Sequence, residues 1–175
     1  MTTSLSTNPQ WLSLKQAAEQ CLQEKVVAVA GLSAGDDDTA KSIYDKLKSC
    51  GYRVYGVNPN QKEVKGIPCF PSLKDLPEVP GSVMAITRPE ATKDVVNQAL
   101  ELGVNWFWMH KSFGSSVSVD AVKLGRERGM NIIDGGCPMM FLEPVDGAHS
   151  CLRWLLSGVG RIPKKIPVLT LESPA

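Results

Sequence analysis

The sequence predicts an α/β domain built on a doubly wound, parallel, five-stranded sheet. Three observations lead there. Five short apolar segments begin near residues 26, 53, 83, 105 and 131. Helix-periodic segments fill the intervals, and repeated strand–helix units of this spacing give parallel strands joined by right-handed crossovers. The first segment, Val26-Val-Ala-Val-Ala30, is unbroken rather than alternating, as expected of a strand covered by helices on both faces.

Taken in order, residues 1–10 are rich in Ser, Thr and Asn and are expected to form a flexible N-terminus. Residues 11–157 are expected to form one domain, and 158–175 a Pro-rich C-terminal tail. Trp11, Leu14, Ala18, Cys21 and Leu22 recur at helical spacing, which predicts a helix over 11–22. After the strand at 26–30 the chain turns through Gly31, Ser33 and Gly35. Asp36, Asp37, Asp38 and Thr39 then supply capping oxygens for a helix over 39–49, which Cys50-Gly51 closes.

Arg53-Val-Tyr-Gly-Val57 is the second strand, ended by Asn58-Pro59. Gly66-Ile-Pro-Cys-Phe-Pro-Ser72 reads as turns, followed by a short helical turn at 73–76. Val83–Thr87 is the third strand, and Arg88-Pro89-Glu90 opens the next helix, which Gly103 ends. In the fourth strand, Asn105–Met109, Trp106 and Trp108 alternate with Phe107, so the two tryptophans and the phenylalanine lie on the two faces of a buried strand. A helix marked by Val117, Ala121, Leu124 and Arg128 leads to the fifth strand, Asn131-Ile-Ile133. Met139–Leu142 reads as core or as an oligomer contact. A short helix around 148–156 and the prolines at 163, 167 and 174 complete the chain.

Bulk properties exclude several classes. A chain of 175 residues, 43% hydrophobic and 21% charged, suits one full core. Net charge is +1 and the sole adjacent basic pair is Lys164-Lys165, so the electrostatic footprint of nucleic-acid binding is missing. No apolar run approaches the roughly 20 residues that span a bilayer, and the N-terminus lacks signal-peptide order. The five cysteines are scattered with no C-x-x-C pair, which points to a reducing, cytoplasmic setting.

Ligands of open parallel sheets bind beyond the carboxyl ends of the strands. Here those ends are Gly31–Gly35, Asn58-Pro59, Thr87-Arg88-Pro89, His110–Gly114 and Gly135-Gly-Cys-Pro138. A dinucleotide fingerprint fails twice. Its second and third glycines are replaced by Ser33 and Asp36, and Asn58-Pro59 stand where the ribose-binding acid belongs. Successive aspartates would also repel a diphosphate unless they point away. Gly31-Leu-Ser33-Ala-Gly35 spells a nucleophile elbow, with Asp134 and His149 in triad order, but only about 25 residues precede its strand. His110 and His149 read more simply as surface or capping residues, and Cys137 as a small buried one. Cys137, His149 and Cys151 do not complete a metal-ligand set.

The order Val-Ala-Val-x-Gly-x-Ser, then Tyr52-Arg-Val-Tyr-Gly-Val-Asn-Pro59, Gly66-Ile-Pro-Cys-Phe-Pro-Ser-Leu73 and Cys137-Pro138 resembles the stand-alone CoA-binding domain family. The match runs in order over about residues 12–142. These domains are similar to the N-terminal domain of the succinyl-CoA synthetase α-subunit. The resemblance implies a Rossmann-like fold holding coenzyme A, or a short acyl-CoA, at the strand ends. Gly31, Leu32, Ser33 and Ala34 would face the diphosphate, as a turn at a helix N-terminus can. Asn58, Pro59 and Lys62 would lie near the ribose and its 3′-phosphate, with Lys62 as the charge partner. Thr87, Arg88 and Pro89 would flank the adenine, and Cys137 and Pro138 the pantetheine end. His110-Lys111 begins a turn where relatives carry a Gln or Glu, so that contact departs from the family pattern. Ligase activity does not carry over, because nothing resembling the phosphohistidine half follows residue 142.

The expected function is binding of CoA or a short acyl-CoA for sensing, carriage or regulation, without an evident catalytic set, metal, nucleic acid or membrane. A homo-oligomer or a protein partner is compatible with it. A second reading puts a small enzyme on the same pocket, acting on an acyl-CoA or NAD(P), with His110, Lys111 and Cys137 as its candidate titrating groups. A third is a partner-binding domain whose pocket is vestigial.

Overall fold

The computed structural model describes residues 9–36, 38–112, 114–158, 160 and 162–169. Their order is β1 (Gln10–Ser13), α1 (Leu14–Cys21), β2 (Val26–Ala30), α2 (Thr39–Ser49), β3 (Arg53–Val57), β4 (Glu63–Val64) and β5 (Ile67–Phe70). There follow β6 (Ser82–Ala85), α3 (Pro89–Glu101), β7 (Trp106–Met109), α4 (Val119–Glu127), β8 (Asn131–Ile133), α5 (Gly147–Gly158) and β9 (Lys165–Val168).

The main sheet has seven strands, not five, in the order β4-β5-β3-β2-β6-β7-β8. The expected five are its parallel centre, and β5 adds in parallel to β3 through Gly56–Cys69 and Val57–Phe70. β4 pairs antiparallel with β5 at the edge. Pro68 made this segment read as turns. A proline is tolerated in a short strand near a sheet edge, because few ladder bonds need its missing N–H.

The predicted helix over 11–22 begins only at Leu14. Ser13 and Gln16 form a reciprocal capping box there: Gln16 N–H donates to the Ser13 hydroxyl, and Ser13 N–H donates to the Gln16 side-chain Oε1. Trp11 lies before the cap, 61% exposed, in a strand paired antiparallel with β9. The segment expected to be a Pro-rich tail thus contributes a strand that clasps the N-terminal segment. Its Pro167 sits opposite Trp11 in a two-stranded ribbon.

Each face of the sheet is covered. Val27, Val29, Met84, Trp106, Trp108 and Ile133 pack with residues of α1 and α2. Ala28, Ala30, Val83, Ala85, Phe107 and Met109 pack with residues of α3 and α4. The alternation of Trp106 and Trp108 with Phe107 therefore divides β7 between two cores, as its period of two requires. Met140 and Leu142 are buried, so that part of the Met139–Leu142 stretch is core.

Candidate functional site

Parallel register brings the carboxyl ends of β2, β3, β6, β7 and β8 to one edge of the sheet. The turn after β2 depends on Gly31. Its φ is 104°, and a Cβ there would stand 2.1 Å from the Ile86 carbonyl oxygen. Only glycine lets the turn approach the end of β6 so closely. Leu32 is buried and points into space that Gly56 leaves empty, where a Cβ would meet its Cδ1 at 2.6 Å. Ser33 and Ala34 are exposed at the tip, and the Ser33 hydroxyl accepts from Gly35 N–H at 3.1 Å.

Asn58 braces this turn. Its Nδ2 donates to the Leu32 carbonyl at 2.8 Å, while its Oδ1 accepts from the N–H groups of Asn60 and Gln61 at 2.7 and 3.0 Å. Pro59 and Lys62 are exposed on the stretch toward β4. The Lys62 carbonyl accepts from Cys69 N–H at 2.8 Å.

The aspartates after the turn differ from the expected cap. Asp38 occupies the N-cap of α2, yet its side chain makes no capping bond. It forms an ion pair with Lys65 instead, and Lys65 Nζ also donates to the Gly35 carbonyl at 2.7 Å. Asp37 lies outside the described residues. Lys65 went unread because it sits in a hairpin that the sequence did not reveal. The Lys65-Gly66 pair ahead of an apolar run was the one local signal.

Thr87, Arg88 and Pro89 follow β6. The Thr92 hydroxyl donates to the Ser116 carbonyl at 2.8 Å and lies 2.7 Å from the Thr87 hydroxyl. The end of β6 is thereby tied to the loop after β7. Arg88 is exposed and precedes Pro89, the first residue of α3.

His110 is 5% exposed, with Nε2 3.2 Å from the Ser112 hydroxyl. Lys111 N–H donates to the Gly136 carbonyl at 3.1 Å. Trp108 Nε1–H bonds the carbonyls of Gly135 and Gly136 at 3.0 and 3.2 Å, so the core strand itself anchors the next turn. That turn holds Cys137, whose burial pushes its thiol up to about 11, and Pro138, which begins a short 3-10 turn.

A cavity of about 380 Å³ opens between these loops and α2, lined by Asp38, Thr39, Ser42, His110, Ser112, Cys137, Met139, His149 and Leu152. His149 and Leu152 come from α5, which the sequence did not connect with the site. His149 Nδ1 lies 2.7 Å from Asp146 Oδ2, and its N–H donates to Asp146 Oδ1 at 2.9 Å. Asp146 therefore caps α5 and holds the His149 ring that lines the cavity. The hydrolase triad is not assembled: Asp134 pairs with Arg126 at 2.8 Å and His149 with Asp146. Among the described residues no group of three or more His, Cys, Asp or Glu is placed to hold a metal. A second cavity of about 420 Å³, beside Gln20, Glu24, Asn105 and Asn131, lies at the amino ends of the strands. Open parallel sheets carry their ligands at the other end.

Residues 25–143 match the model of a family described as the CoA binding domain. The chain is 27% identical to the uncharacterized protein YneT of Bacillus subtilis over 130 residues, covering 74% of this chain and 92% of that one. It is 26% identical over 127 residues to the ADP-forming acetate–CoA ligase I of Archaeoglobus fulgidus, covering 68% of this chain but only 18% of the ligase. A solved structure of a hypothetical protein from Pyrococcus horikoshii superposes with a TM-score of 0.68 at 29% identity. That match covers 77% of this chain and 92% of the other.

Proposed function

Since the chain belongs to the CoA binding domain family, we propose that it binds coenzyme A or a short acyl-CoA across the carboxyl ends of its parallel strands. The observation that carries this reading is the convergence there of the Gly31 turn, the start of α2 and a cavity of about 380 Å³. The turn and the first turn of α2 offer backbone N–H groups to a diphosphate. Asn58, Pro59 and Lys62 then take the ribose and its 3′-phosphate, and Thr87, Arg88 and Pro89 take the adenine side. The pantetheine arm runs past His110 and Lys111 toward Cys137 and Pro138, with its acyl end in the cavity. A nicotinamide cofactor is disfavoured. The residue after β3 is Asn58, an amide already committed to the Leu32 carbonyl and to two backbone N–H groups.

Binding serves sensing, carriage or regulation of a partner in this reading. Calorimetric titration with CoA, dephospho-CoA and NAD tests it. Micromolar CoA binding, weakened by removal of the 3′-phosphate and by Lys62→Ala, supports it. NAD binding without a CoA response overturns it.

One observation favours the enzymatic alternative. His149, oriented by Asp146, shares the cavity with His110 and Cys137. An imidazole held at Nδ1 presents Nε2 as a general base for water attacking a thioester, which yields a carboxylic acid and free CoA. Release of CoA thiol from short acyl-CoAs, lost in His149→Asn with CoA binding retained, is its signature. No release from any acyl-CoA leaves the binding function alone.

A further inference from the structure

Lys65 stands at the tip of the β4–β5 hairpin. The register Glu63–Pro68 and Val64–Ile67 leaves Lys65-Gly66 as a two-residue loop. Their φ values of 49° and 80° are those of a tight turn matched to strand twist. The hairpin thus sets the direction in which the lysine side chain leaves the backbone. Its ammonium reaches the neighbouring turn, 2.7 Å from the Gly35 carbonyl and paired with Asp38. Its side chain is 27% exposed while that of Asp38 is 61% exposed. The cation is thus the less solvated partner of the pair.

This contact bears on a conflict already visible in the sequence. A diphosphate seated at Gly31–Gly35 meets the acids that follow it. Unless a positive charge intervenes, like charges at this range repel it. Lys65 brings that charge to the turn from an element outside the strand–turn–helix unit.

We propose that Lys65 is the diphosphate-binding cation of this site, held in the ligand-free protein by Asp38 and transferred to the ligand when it binds. The inference rests on the CoA reading and assigns a residue within it. A phosphate group offers more acceptor oxygens than a carboxylate, and pairs with an ammonium more strongly than a half-solvated surface acid does. Asp38 thus holds the place of the ligand's charge. The two lysines divide the ligand: Lys62 serves the 3′-phosphate and Lys65 the diphosphate.

The test compares wild type, Lys65→Met, Lys62→Ala, Asp38→Asn and the Asp38→Asn/Lys65→Met pair. Each is titrated with CoA, dephospho-CoA, ADP and inorganic pyrophosphate. Lys65→Met keeps the side-chain stem and loses the charge, and is expected to weaken all four ligands by roughly tenfold. Lys62→Ala is expected to weaken CoA alone. Asp38→Asn, which removes the competing acid, tightens all four. The double variant stays as weak as Lys65→Met.

Unchanged CoA affinity in Lys65→Met overturns the assignment while leaving the CoA reading intact. Full recovery in the double variant also overturns it, because Lys65 would then only neutralise Asp38. Lys65-dependent binding of ADP and pyrophosphate without CoA binding keeps the assignment and removes the CoA reading. Silence of the wild type toward all four removes both. Should Lys65→Met fold poorly, unchanged or weaker binding of all four ligands in Asp38→Asn overturns the proposal in its place, because releasing Lys65 from its acid would then gain nothing.

Discussion

Gly31 and Cys137 mark the two ends of the candidate site, and each makes a separate prediction. A methyl group at position 31 must displace the Ile86 carbonyl, and the backbone at φ 104° disfavours any L side chain. Gly31→Ala is expected to lower stability by about 1–3 kcal/mol, read from urea denaturation, and to abolish CoA binding in calorimetry. At Cys137, burial raises the thiol to about 11, so at pH 8 roughly one molecule in a thousand carries the thiolate. Cys151 is exposed. Alkylation followed by mass spectrometry should label Cys151 first and leave Cys137 unmodified until the protein unfolds. Rapid labelling of Cys137 in folded protein would contradict its burial. At this scale the sequence showed its glycines and cysteines plainly. It hid the pairing of Lys65 with Asp38, because the bond between them spans 27 positions and depends on a hairpin that was not foreseen.

Elements explain which expectations held. The central strands and α2 were legible because uninterrupted apolar runs and a 3.6-residue period leave few alternatives. β5 was not, since its Pro68 breaks the pattern and its two-pair contact with β3 is tertiary in origin. β1 and β9 were missed for the same reason: neither carries a local signal, and each exists because the other pairs with it. β7 makes its own prediction. Trp108→Phe leaves the carbonyls of Gly135 and Gly136 without the indole donor and opens a small cavity at a fully buried position. It is expected to cost about 1–3 kcal/mol in urea denaturation and to weaken CoA binding by loosening the Cys137 turn. At α5, the backbone N–H of His149 first and its ring second hold the Asp146 carboxyl below its usual value of 3.8. Its folded-state value is depressed, so its stabilisation is present above 3.8 and is lost as pH falls through the lowered value. Asp146→Asn should lower the melting temperature at neutral pH, and the difference should close under acid conditions. A constant difference across that range would mean that the Asp146 charge is not what the substitution removes.

As a whole molecule the protein consists of the family-matched stretch, residues 25–143, and segments on either side that fold back onto it. α1 and β1 come from before it, α5 and β9 from after it. Among the described residues no helix is long and apolar enough to cross a membrane. The flanking segments do separate work: α5 lends His149 to the cavity, while the β1–β9 ribbon covers the sheet with the buried Leu12, Ile166 and Val168. Ile166→Ala is expected to cost about 2–5 kcal/mol in denaturant unfolding with CoA affinity unchanged, since the ribbon contributes nothing to the cavity lining. A parallel loss of CoA binding would mean that the ribbon and the site are coupled.

The register of that ribbon also fixes how the molecule answers to force. Gln10 faces Val168 at one extremity and Ser13 faces Lys165 at the other. The two outgoing ends of the chain therefore leave from the same extremity. Tension applied through them loads the Gln10–Val168 rung alone, then the next, so the ribbon peels one rung at a time instead of resisting in shear. The same joint that buries Ile166 against the core thus offers its rungs to tension singly.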